Sequence, residues 1–126
     1  MSKKILFIED EAVMQKAVSE FLGVKGYQVT SALDGETGLD IARLKKPELI
    51  LLDLILPKKN GFEVLKELKS DPVTKEIPVI VLTNLSGMDD VGKILELGVT
   101  TYMVKSDQTL QDIFVAVEKM LDNGKA

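Results

Sequence analysis

Three carboxylates, a hydroxyl and an ammonium stand at the ends of apolar runs in this chain. Ile5-Leu6-Phe7-Ile8 runs into Glu9-Asp10, and Leu49-Ile50-Leu51-Leu52 stops at Asp53. Val79-Ile80-Val81-Leu82 stops at Thr83, and Tyr102-Met103-Val104 stops at Lys105. If these runs are parallel strands, their carboxyl ends share one edge of a sheet, where open α/β folds take their ligands. Carboxylate oxygens suit a hard divalent cation, and a carboxylate can itself serve as a nucleophile once its charge is offset.

The elements between the runs must position those groups. Met14, Ala17, Val18, Phe21 and Leu22 fall on one face of a helix over 11–25, which Gly26 stops. Residues 27–30 alternate as a shorter strand. Asp34-Gly35 turns into a weaker helix over 36–45, where Gly38 lowers the propensity and Pro47 ends it. Pro57 and Gly61 bracket a loop before a helix over 62–69, packed through Phe62, Leu65 and Leu68. A helix over 89–97 turns Val91, Ile94 and Leu95 inward and stops at Gly98. The last helix carries Leu110, Ile113, Phe114, Val117, Met120 and Leu121 on one stripe, opened by a capping box at Thr109-Leu110-Gln111-Asp112. Five βα units in succession predict an α/β fold, a five-stranded parallel sheet doubly wound by helices on both faces. One domain is expected over 1–126, since the tail 122–126 is too short to link another module.

Composition narrows the chemistry. A chain of 126 residues, 45% hydrophobic, can bury a core without staples. Having no cysteine, it carries no disulfide, thiolate nucleophile or Cys-ligated metal. Having no histidine, it carries no Ser-His-Asp chemistry, His-ligated zinc or phosphohistidine of its own. A net charge of −4 argues against nucleic-acid binding by this domain. No apolar run reaches the length of a membrane span, and the first residues show no signal-peptide pattern, so a cytoplasmic protein is expected.

Taken in order, the motifs resemble a response-regulator receiver domain of two-component signalling, of the chemotaxis-regulator type. The likeness runs through Glu9-Asp10, then Asp53, Pro57 and Gly61 as D-x-x-x-P-x-x-x-G, then Thr83, and Gly98-Val99-Thr100-Thr101-Tyr102-Met103-Val104-Lys105. It implies a strand order of 2-1-3-4-5, for which such a receiver is a standard example. The resemblance makes Asp53 the phosphoacceptor. It makes Glu9, Asp10, Asp53 and the backbone carbonyl of Ile55 the holders of Mg²⁺, with Glu9 acting through water. Lys105 would pair with Asp53 and the phosphoryl group, Thr83 would bond a phosphoryl oxygen, and Thr83 with Tyr102 would form the switch. The donor, a sensor histidine kinase or histidine phosphotransfer protein, must act in trans. The helix 4, strand 5, helix 5 face would then bind a downstream protein target or a second copy in a phosphorylation-dependent homodimer. No enzyme acting on an external substrate is implied, only self-phosphorylation and dephosphorylation.

Each residue alone has a plainer reading: Asp10 as a helix cap, Lys105 as a solvated strand end, Thr83 as a turn former, Tyr102 as core. An aspartyl phosphatase would want a second acid at the position of Ile55. A flavodoxin-like electron carrier would want a phosphate loop where Glu9-Asp10 stands. The chain departs from the family pattern in three ways: Glu9 where aspartate is commoner, Asn84 where a small residue is usual, and Ser106 where proline is usual. The last two leave room for an alternative, a degenerate receiver that binds proteins without phosphorylation. Serine at 106 also predicts a trans Lys105–Ser106 bond.

Overall fold

The structure, a computed structural model, describes residues 2–85, 87–99 and 101–123, for Asn123 the backbone alone. Thr100 of the fifth-strand motif and residues 124–126 of the tail lie outside the described residues. The elements run β1 (Lys4–Ile8), α1 (Ala12–Val24), β2 (Gln28–Ala32), α2 (Gly35–Lys45), β3 (Leu49–Leu52), α3 (Gly61–Ser70), β4 (Val79–Thr83), α4 (Met88–Glu96), β5 (Thr101–Val104) and α5 (Leu110–Asn123). A short 3₁₀ turn, Lys105–Asp107, separates β5 from α5. The sheet is parallel throughout, in the order β2-β1-β3-β4-β5. Among the described residues, no helix is long and apolar enough to cross a membrane.

Strands covered on both faces have no polar side to present, which is why β1, β3 and β4 read as continuous apolar runs. Their side chains alternate between two cores. Leu6, Ile8, Ile50, Leu52, Val79 and Val81 pack with Leu39, Leu65, Leu68 and Ile94 from α2, α3 and α4. Ile5, Phe7, Leu49, Leu51, Ile80 and Leu82 pack with Val18 and Leu22 of α1 and Ile113, Val117 and Leu121 of α5. Burying a side chain of this size contributes about 1.5–3 kcal/mol, so these layers fix the sheet from which the charged ends project.

Several element details differ from expectation. The second strand is Gln28–Ala32 rather than 27–30, with Tyr27 packed beside it. In α3 the buried positions are Val64, Leu65 and Leu68, while Phe62 is only partly covered. In α4 only Ile94 is buried, and Leu95 faces solvent at 59% exposure. Asp10 caps nothing: the N-cap of α1 is Glu11, without a side-chain bond. Gly38 earns its place by packing, because a Cβ there would lie 2.5 Å from the Ile8 side chain. The capping box of α5 is present in both directions. Thr109 N–H donates to Asp112 Oδ2 at 3.0 Å, and Asp112 N–H donates to Thr109 Oγ1 at 3.1 Å.

Candidate functional site

Parallel register brings the strand ends to one edge. The Asp53 N–H donates to the Ile8 carbonyl at 3.0 Å, and the Glu9 N–H donates to the Ala32 carbonyl at 2.9 Å. Beneath the edge, Gly61 N–H donates to the Leu54 carbonyl at 2.9 Å. A Cβ on Gly61 would lie 2.2 Å from Leu54 Cα and 2.6 Å from the Asp53 carbonyl oxygen, so only glycine lets α3 begin this close to the acid. This is the physical content of the glycine eight residues after Asp53.

Glu9, Asp10 and Asp53 each present an oxygen to one small volume, the three atoms lying within 4.8 Å of one another. Glu9 and Asp53 are buried and Asp10 is exposed, so the cluster opens to solvent on one side. Lys105 Nζ enters it, 3.0 Å from Asp53 Oδ2 and 2.8 Å from Glu9 Oε1. The contact with Glu9 is a charge pair, and no aligned hydrogen bond reaches that buried oxygen. Asp53 Oδ1 accepts the Ile55 N–H at 3.2 Å, and Glu9 Oε2 accepts the Glu11 N–H at 3.1 Å.

The electrostatics follow from this crowding. Burial pushes the Glu9 carboxyl up to about 7, against the pull of Lys105 and the Glu11 amide, and the Asp53 charge adds to the rise. Burial draws the Lys105 ammonium down, but its contacts with Glu9 and Asp53 more than reverse this and leave its pKa raised. A cluster of three carboxylates, one of them a buried Glu9 that burial makes reluctant to ionise and whose Oε1 lacks a hydrogen bond, suits a hard cation with oxygen ligands.

Glu11 was missed in the sequence. Its Oε1 lies 3.2 Å from Lys105 Nζ, so three carboxylates pair with one ammonium, and Asp10 lies beside two of them at the rim. The available signal was three consecutive acids after the first strand. Gln15 was missed as well: its Nε2 donates to the Glu9 and Ala32 carbonyls at 3.1 and 3.0 Å, tying β1 to β2 beside the site.

Thr83, fully buried at the end of β4, accepts the Leu85 N–H at 3.4 Å. The Tyr102 hydroxyl, from β5, donates to the Leu85 carbonyl. Thr83 and Tyr102 therefore meet the same residue rather than each other. Ile55 is 55% exposed, and its amide is engaged with Asp53. The Lys105–Ser106 bond is trans, as serine at 106 predicts. Ser106 N–H donates to Asn84 Oδ1 at 2.9 Å, so two of the departures from the family pattern bond each other.

Comparison with known proteins agrees with this arrangement. Residues 5–118 match the family model described as the response regulator receiver domain. A probable transcriptional regulator ycf27 of Porphyridium aerugineum is 42% identical over 82% of this chain, which spans 42% of that protein. The chain covers less than half the length of such curated relatives. Among solved structures, the phosphorylated cyanobacterial phytochrome response regulator RcpA aligns with a TM-score of 0.79 at 37% identity, covering 95% of this chain and 91% of that one. The Mn²⁺-bound form of response regulator Rcp1 aligns with a TM-score of 0.77 at 38% identity, covering 94% and 91%. The chain thus belongs to the response-regulator receiver family of two-component systems.

Proposed function

We propose that this domain accepts a phosphoryl group on Asp53 from a histidine kinase or a histidine phosphotransfer protein, with Mg²⁺ held by Glu9, Asp10, Asp53 and the Ile55 carbonyl. The observation that carries the reading is the Lys105 ammonium set between Asp53 and Glu9 at the mouth of a three-carboxylate cluster. The similarity to a phosphorylated regulator and to a Mn²⁺-bound one supports it.

An Asp53 carboxylate oxygen attacks phosphorus, the phosphorus–nitrogen bond of the donor phosphohistidine breaks, and the imidazole leaves with the electron pair. When bound, the metal supplies positive charge against the acceptor and the transferred group. Lys105 supplies the second counter-charge from a nearly water-free position, where a fixed ammonium stabilises developing charge without reorganising. Thr83 turns to donate its hydroxyl proton to a phosphoryl oxygen, and the movement draws its Oγ1 away from the Leu85 amide. Leu85 then moves, Tyr102 loses its seat on the Leu85 carbonyl, and the α4, β5, α5 face changes shape for a protein target or a second copy. Phosphorylation shifts a population by no more than the phosphoryl group favours the new state.

Incubating the protein with acetyl phosphate and Mg²⁺ tests the reading. Intact mass should gain one phosphoryl group, and none without divalent cation. Unchanged mass in the presence of Mg²⁺ overturns it.

A further inference from the structure

The Asn84–Ser106 bond joins the residues that directly follow Thr83 and Lys105, the two groups that would touch a phosphoryl oxygen, yet neither Asn84 nor Ser106 belongs to the carboxylate cluster. β4 and β5 pair with Thr83 opposite Val104, so Asn84 and Lys105 are the next residues out on adjacent strands. Lys105 opens the 3₁₀ turn, whose preceding residue, Val104, offers no side-chain cap. The first amides of such a turn have no partner within it. Asn84 supplies one from the neighbouring strand, accepting the Ser106 N–H at 2.9 Å. On the other edge of the same peptide group, the Lys105 carbonyl accepts the Gln108 N–H at 3.3 Å. Both sides of the Lys105–Ser106 peptide are thus held. The root of the Lys105 side chain is fixed on a plane that Asn84 helps to set.

We infer that Asn84 is a positioning residue for Lys105. Through the Ser106 amide it aims the ammonium at Asp53 and ties the segment carrying Thr83 to the segment carrying Lys105. The two residues act as one unit: an acceptor at 84 is useless without an N–H at 106, and proline at 106 would remove that N–H. The inference deepens the phosphoacceptor reading and rests on it for its effect on rate.

Four variants separate the outcomes: N84A, S106P, the double variant, and N84D, which keeps an acceptor oxygen. In the unphosphorylated protein, N84A should speed hydrogen exchange of the Ser106 amide several-fold and weaken the NMR signal of the Lys105 ammonium, and N84D should restore both. With acetyl phosphate and Mg²⁺, N84A and S106P should each lower the saturating labelling rate about three- to ten-fold, the worth of one net hydrogen bond. The half-saturating donor concentration should hold steady. The double variant should label no more slowly than the slower single one. Multiplying effects, an unchanged Ser106 amide in N84A, or a Lys105 signal indifferent to all variants would overturn the assignment. If the wild type takes no label, the phosphoacceptor reading falls, and the Ser106 and Lys105 signals still decide whether Asn84 positions the lysine.

Discussion

Lys105 Nζ stands 2.8 Å from Glu9 Oε1, an ion pair buried at the end of a sheet and joined to Asp53 only 3.0 Å away. A buried pair of this kind is costly to break, because the remaining partner stays desolvated and unpaired. Glu9, buried beside Lys105, makes the first strand end sensitive to protons.

Glu9 ionises at about 7 in the folded chain against 4.5 ordinarily. A raised pKa on an acid means the folded state holds the proton more tightly. Its contribution to stability is therefore complete below about 4.5 and is lost as pH rises through about 7. Without divalent cation, stability should fall across that window by about 3 kcal/mol. Urea unfolding of wild type and Glu9→Gln across the window measures this. The variant's profile should be flatter, and an equal slope in both would remove Glu9 as the cause.

Mg²⁺ should raise the melting temperature of the wild type, as any ligand of the folded state does. Asp10→Asn removes a negative charge at the exposed rim of the carboxylate cluster and leaves the core intact. The Mg²⁺ concentration giving half the shift should rise about tenfold or more, judged against what even outer partners of metal sites contribute. An unaltered midpoint would move the metal away from Asp10.

Much of this was legible beforehand, and for a physical reason. β1, β3 and β4 are buried on both faces, so hydrophobicity alone marked them and the residues that end them. The site inherits that clarity because Glu9, Asp53, Thr83 and Lys105 directly follow or close strands. β2 lies at the sheet edge with mixed burial, so its limits blurred by two residues. α4 buries Ile94 alone, so the helical spacing that turned Leu95 inward overstated how much of that face the sheet covers. The Asn84–Ser106 bond and the Glu11–Lys105 contact join residues far apart in the chain. Periodicity says nothing about such pairs. The sequence showed two departures from a pattern without showing that they satisfy each other.

The switch has a direct test. A phosphoryl mimic bound at Asp53 should move amide resonances along α4, β5 and α5, since Thr83 and Tyr102 share Leu85. Tyr102→Phe, which removes the donor to the Leu85 carbonyl, should lower stability by about 1 kcal/mol and shrink those distant shifts. Shifts confined to the loops around Asp53 in the wild type would refute propagation to that face.

Signal lifetime should depend on the residues flanking the approach of water to an aspartyl phosphate. By family resemblance these are Ile55, which is exposed, and Leu85, which packs against the core. Both are aliphatic, so neither orients a water by hydrogen bonding, and an unoriented water loses much of its advantage. Ile55→Asn with Leu85→Gln should lose phosphoryl label faster than the wild type at matched Mg²⁺. An equal or longer lifetime in the variant would show that another feature governs the water.

Whether Asp53 takes the phosphoryl group is decided by comparing two proteins. Wild type and Asp53→Asn are incubated side by side with acetyl phosphate and Mg²⁺, and intact mass is followed over time. One added phosphoryl group is expected in the wild type and none in Asp53→Asn. Equal labelling of the two proteins would contradict that assignment.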